Sequence, residues 1–136
     1  MNAGARVLVT PRSAPGHPVL RRLEAAGYEV VIPAPGRVPT RDEQLRALAD
    51  AVGYVAGVEP IGGDLLRAAP RLRAISRNGV GTDGIDAAVA EELGIAVLCA
   101  PAANAQGVAE LALALMLSAA RGIPAMSGAL DRKSVV

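Results

Sequence analysis

Five short runs rich in Val, Ile and Leu recur along this chain, at residues 6–10, 28–32, 54–58, 72–76 and 95–99. A segment with helical spacing separates each from the next, and Gly or Pro marks most of the joins. This alternation constrains the fold more than any other feature. Strands that are apolar along their length need cover on both faces, and parallel strands need a long crossover between them, usually a helix. Helices are expected at 17–26, stopped by Gly27, and at 64–69, stopped by Pro70. Another is expected at 86–93. The run Thr40-Arg-Asp-Glu43 reads as a capping box opening a helix to about residue 49. Right-handed crossovers then leave a doubly wound, flavodoxin-like parallel five-stranded α/β sheet with helices on both faces as the economical topology. A long apolar helix is expected from residue 105 to 120.

Composition narrows the function classes. With 136 residues there is room for one ordinary core, and with aromatic content of 1% (Tyr28 and Tyr54) that core must be built from Ala, Val, Leu and Ile. A formal net charge of +1 and the lack of aromatic platforms give no case for nucleic acid. The single cysteine, Cys99, excludes an internal disulfide and fits a reducing compartment. The start of the chain lacks the apolar stretch of a signal peptide. The longest apolar run, 108–120, is broken by Glu110 and Ser118 and is too short to cross a bilayer. A cytoplasmic protein that engages neither membrane nor nucleic acid is expected, with no metal site.

In such sheets ligands bind outside the carboxyl ends of the strands. Those ends are the loops at 11–13, 58–59, 77–81 and 101–104. The third holds Asn78-Gly-Val-Gly-Thr-Asp-Gly84, which spells G-x-G-x-x-G. Three readings compete. A dinucleotide pyrophosphate is one, but that fingerprint normally follows the first strand of its domain and has an acid ending the next strand. Here it follows the fourth, and the fifth ends in Cys99-Ala-Pro101. A tight strand-to-helix turn, with Asp83 or Asp86 capping the helix, is the second. Capture of a small carboxylate by the backbone N–H groups of Asn78, Gly79, Val80 and Gly81 is the third, and the reading favoured here.

Several linked motifs resemble one family. Ile75-Ser-Arg-Asn-Gly-Val-Gly-Thr-Asp-Gly-Ile-Asp86 is followed by Glu91-Glu-Leu-Gly-Ile-Ala-Val97, Pro101-Ala-Ala-Asn104 and Val108-Ala-Glu-Leu-Ala-Leu113. With Gly57-Val-Glu-Pro-Ile61, and in this order, they resemble the D-isomer-specific 2-hydroxyacid dehydrogenases, and most of all their phosphoglycerate-dehydrogenase-like branch. The resemblance implies a partial substrate-binding domain at 1–104, an interdomain-type helix at 105–125 and a frayed or foreign tail at 126–136. It implies that the loop from Asn78 to Gly81 faces the substrate carboxylate, that Val80 lies near the nicotinamide of NAD, and that Asn104 stands near the cleft. The family's nucleotide-binding domain, with its own fingerprint and its catalytic arginine, glutamate and histidine, has no counterpart in these residues. No catalytic residue is therefore assigned, and the chain is expected to be a truncated enzyme, inactive alone. The implied partners are a small 2-hydroxy or 2-oxo acid, the nucleotide-binding domain, and a second copy through the exposed helix. Departures from the family pattern include Ala56-Gly57 in place of an Arg-Ser pair, Gly84 and Cys99 where asparagine is common, and Ala102 where glycine is common.

Other residues carry plainer readings. His17, the only histidine, is expected at the surface. Cys99 is expected to be buried at a strand end. Glu59 faces the cleft or is solvated, and Asn104 caps the long helix, lines the cleft, or does both. A signalling receiver is disfavoured because its acidic pair and strand-end lysine are missing, the one lysine being Lys133. An FMN-binding flavodoxin is disfavoured because Arg12-Ser-Ala-Pro-Gly16 is poor in hydroxyls for a phosphate loop and no aromatic can sandwich the flavin. The remaining alternative is a non-catalytic flavodoxin-like binding or interaction module.

Overall fold

A computed structural model describes residues 4–127. The elements alternate as β1 (Ala5–Val9), α1 (Leu20–Ala25), β2 (Tyr28–Val31), α2 (Arg41–Leu48), β3 (Ala51–Ala56), α3 (Gly63–Arg67), β4 (Ala74–Arg77), α4 (Ala87–Glu92), β5 (Ala96–Leu98) and α5 (Ala105–Ala120). The five strands are all parallel and lie in the order β2-β1-β3-β4-β5. The flavodoxin-like order expected from the alternation is the one observed.

Handedness accounts for the layers. The β1-to-β2 crossover runs one way along the sheet, whereas the three later crossovers run the other way, so right-handed connections place α1 opposite α2, α3 and α4. Leu20 and Leu23 of α1 accordingly pack on Val7 and Val9. Leu48, Leu65, Leu66 and Ala90 pack on the other face against Leu8, Tyr54 and Ile75. On the α1 side cover is incomplete, because one six-residue helix cannot span five strands. Ser76, Ala96 and Leu98 are exposed there, contrary to the expectation of full cover on both faces.

The chain divides into two compact units, Met1–Pro101 and Ala102–Val136. The second holds α5, where Val108, Leu111, Leu113, Leu115, Met116 and Leu117 are all more than half exposed. No helix among the described residues is long and apolar enough to cross a membrane. Most of the expected tail at 126–136 lies outside the described residues.

Local chemistry moves several boundaries. The Thr40 hydroxyl accepts from the Glu43 N–H and the Glu43 carboxylate accepts from the Thr40 N–H, so the capping box forms as expected. The first helix starts at Leu20 rather than residue 17, because residues 14–20 make successive three-residue turns through His17 and Pro18. The third strand spans Ala51–Ala56 rather than 54–58. It stops there because the Gly57 N–H turns away from the ladder to the side chains of Thr10 and Glu59. Leu72 is buried in the turn after α3, and β4 begins only at Ala74. Cys99 is exposed, not buried, since it falls just past the three-residue edge strand β5, where no further strand covers it. Asn104 occupies the N-cap position of α5 but its side chain makes no capping hydrogen bond.

Candidate functional site

The carboxyl ends of β1, β3 and β4 meet at a cleft of about 260 Å³ whose lining includes Thr10, Arg12, Ser13, Gly57, Glu59 and Asn78. Three of the four loops expected to carry function thus share one cleft. The fourth, at 101–104, straddles the boundary of the two units, and Asn104 belongs to the second. His17 is exposed, as expected, and its Nδ1 accepts from the Val19 N–H.

The glycine loop leaves β4 through a sharp reversal. The Asn78 N–H donates to the Ala56 carbonyl, and the Gly79 N–H turns back onto the Arg77 carbonyl at 2.9 Å. Gly79 has φ +155°, a backbone conformation that other residues rarely adopt, and the nearest group a side chain there would meet is the movable Arg77 guanidinium at 2.9 Å. Two of the four N–H groups expected to hold a carboxylate are therefore already engaged. Those of Val80 and Gly81 have no partner among the described residues. The Val80 side chain is 42% exposed.

The loop suits a dinucleotide pyrophosphate poorly. A phosphate at a helix N-terminus needs free N–H groups and no competing anion. Here the Asp86 carboxylate caps α4, accepting from the Val89 N–H at 3.1 Å, and α4 has only six residues. Of the two caps considered from sequence, Asp86 is the one used. What the loop offers is a run of backbone N–H donors from Val80 to Gly84 without partners among the described residues, with Val80 and Gly81 beside an apolar side chain. That set can hold one small carboxylate and one flat apolar ring, with no group to move a proton. Among the described residues no group of three His, Cys, Asp or Glu side chains is placed to hold a metal.

Beneath the cleft lies a buried polar cluster that the sequence reading missed. Glu59 is 4% exposed and lines the cleft, so of the two readings offered from sequence it is the cleft-facing one that holds, not the solvated one. Its Oε1 accepts from the Tyr54 hydroxyl at 2.8 Å, from the Gly57 N–H at 2.9 Å and from the Thr10 hydroxyl. Its Oε2 is buried without a partner among the described residues. Gln44, buried on α2, lies 3.4 Å from the Tyr54 hydroxyl. Burial, and then the neighbouring Glu59 charge, push the Tyr54 phenol well above its ordinary value, which keeps it a donor. One signal was present in the sequence. Gln44 and Leu48 sit four apart on the same face of α2, and a polar residue on a buried helix face needs a buried partner.

Comparison with known proteins gives a consistent result. Residues 7–131 match the family described as D-isomer specific 2-hydroxyacid dehydrogenase, catalytic domain. The chain is 43% identical over 94 residues to a D-3-phosphoglycerate dehydrogenase of Methanocaldococcus jannaschii, a match covering 68% of this chain and 18% of that protein. Among solved structures, the TT0316 protein of Thermus thermophilus is similar over 96% of this chain and 40% of its own, with TM-score 0.83 and 34% identity. The NAD+-bound 3-phosphoglycerate dehydrogenase of Entamoeba histolytica matches over 85% of this chain and 39% of its own, with TM-score 0.74 and 28% identity. The chain thus spans less than a fifth of the curated relative and about two fifths of the solved chains.

Proposed function

The chain belongs to the D-isomer specific 2-hydroxyacid dehydrogenase family, and from that premise we propose that it supplies the substrate-binding part of an NAD-dependent oxidoreductase interconverting a small D-2-hydroxy acid and its 2-oxo acid. One observation carries the reading. The Val80 and Gly81 N–H groups stand without partners among the described residues at the carboxyl edge of the sheet. Two adjacent backbone donors, unobstructed by the glycine, match the two oxygens of a carboxylate. Asn78, of the same loop, lines the cleft with its side of the loop, whereas Val80 and Gly81 lie outside the cleft's lining. The family resemblance also gives Asn104 a substrate-facing role, and its side chain does not cap α5.

The exposed Val80 is the residue that would lie against the nicotinamide end of NAD. When bound, that cofactor supplies or accepts the hydride. The loop suits no pyrophosphate, so the remainder of the dinucleotide belongs to a nucleotide-binding domain acting as partner, and tight binding of NAD to this chain alone is not expected. Proton transfer also needs a positioned acid–base group. The one histidine, His17, is exposed and its Nδ1 is engaged by a backbone N–H. These 136 residues are therefore inactive by themselves in this reading. A cytoplasmic location accompanies it, in keeping with one exposed free cysteine.

The test is a ¹⁵N-resolved titration of the purified chain with oxalate, an unreactive analogue of a 2-oxo acid. The Val80 and Gly81 amides are expected to shift, and turnover of D-3-phosphoglycerate with NAD to be undetectable. Unmoved loop amides would overturn the carboxylate assignment, and measurable turnover would overturn the division of labour. The exposed apolar residues of α5 favour one second reading, a non-catalytic module that self-associates through this helix. Light scattering that returned a monomer at all concentrations would exclude it.

A further inference from the structure

The buried carboxylate of Glu59 has no cationic partner among the described residues, and three donors converge on its single oxygen Oε1. An isolated buried carboxylate is costly, and a well-packed apolar group often serves stability as well or better. Its use here follows from what it grips. Thr10 directly follows β1, Tyr54 lies within β3, and Gly57 begins the segment that leaves β3. One carboxylate therefore fixes where that segment departs from the sheet.

Both ends of the glycine loop hang on the same segment. At the near end the Asn78 N–H donates to the carbonyl of Ala56, the residue before Gly57. At the far end the Ile61 N–H donates to the Gly84 carbonyl at 2.7 Å, and the Asp86 N–H donates to the Ile61 carbonyl at 3.0 Å. Ile61 and Ile85 form an isolated parallel bridge there, with both side chains buried. Only Pro60, whose ring fixes φ, separates Glu59 from Ile61. Residues 56–61 thus act as a frame for loop 78–84, and the Glu59 carboxylate holds the frame to β1 and β3.

We infer that Glu59 is a positioning residue, whose buried carboxylate sets the 56–61 frame and through it the direction of the Val80 and Gly81 N–H groups. The link to substrate rests on the proposed function, whereas the link to the loop does not. It is tested on the ligand-free 136-residue chain by residue-resolved amide hydrogen exchange and ¹⁵N shifts of E59A, E59Q and Y54F. In E59A the Ile61, Asn78 and Asp86 amides are expected to exchange at least tenfold faster. Amides of the 78–84 loop shift, while Val30 and Val31 of β2 keep wild-type rates. In E59Q the side-chain oxygen takes the place of Oε1 and returns the loop to within threefold of wild type. Y54F removes one donor and gives the same localised pattern at smaller amplitude, which keeps the inference decidable if E59A does not fold.

Acceleration spread evenly over β1, β2 and β4 would show a merely structural group and overturn the inference. Loop amides with unchanged rates in E59A, or in Y54F should E59A not fold, would overturn it too. Oxalate titration of the same proteins adds the functional readout, with binding weakened at least fivefold in E59A and restored in E59Q. Wild-type protein that ignores oxalate would refute the proposed function while leaving the exchange result to decide the role of Glu59.

Discussion

Two glycines four residues apart in and after β3 should respond in opposite ways to the same added methyl group. At Gly57 a Cβ would lie 2.7 Å from the Glu59 Oε2 and 3.3 Å from both the N and Cα of Pro11. Neither neighbour yields easily, because Pro11 is backbone and the Glu59 carboxylate is held by three donors. Overpacking of this kind costs about 1–3 kcal/mol. Shifting the carboxylate sacrifices at least one hydrogen bond to a charged group, about 1.5–3 kcal/mol more. We expect G57A to lose about 3 kcal/mol, which for a unit near 100 residues lowers Tm by roughly 12–24 °C. At Gly53 a Cβ would meet only the Val7 methyl carbons, at 3.5 and 3.7 Å, which is ordinary contact. There the substitution chiefly reduces the freedom of the unfolded chain, so G53A should gain about 0.4–1 kcal/mol. Thermal unfolding followed by circular dichroism measures both. The reasoning fails if G57A lies within about 1 kcal/mol of wild type, below the overpacking range, or if G53A loses as much as G57A.

The Glu43 carboxyl is held down at about 2, first by its hydrogen bonds from the Arg37 guanidinium and then by the Thr40 N–H. Its folded value lies below the ordinary 4.5, so its contribution to stability is full above that value and is lost as pH falls towards 2. A carboxyl-detected NMR titration should place its midpoint near 2 and R37A should move it upward, whereas a wild-type midpoint near 4.5 would exclude the pairing. Replacing the N-cap Asp86 by alanine should cost about 1 kcal/mol in urea unfolding, the usual worth of such a cap. A value near zero would mean that the Val89 N–H is satisfied by solvent.

The elements and their order were legible because they rest on near-neighbour chemistry. The Thr40–Glu43 capping box, the stop at Gly27 and the alternation of strand and helix depend on residues within a few positions, and all of them appear in the structure. The glycine loop was legible as a strand-to-helix turn with an Asp cap. Its detailed capacity was not, because the Asn78 N–H is taken by Ala56, a residue on the neighbouring strand. Cys99 was misplaced for a similar reason. A strand's cover depends on its rank in the sheet, and β5 proved to be the edge.

By itself the sequence determined the parallel α/β class and, through crossover handedness, the strand order. Periodicity and chirality act locally and survive in any one-dimensional reading. Only the tertiary structure decided that Glu59 is buried rather than solvated. Its partner Thr10 lies 49 positions away and becomes a neighbour only because β1 and β3 pair side by side. A polar side chain's environment is set by what the fold brings to it through space, and that is how a glutamate two residues past Gly57 comes to anchor the frame on which the glycine loop hangs.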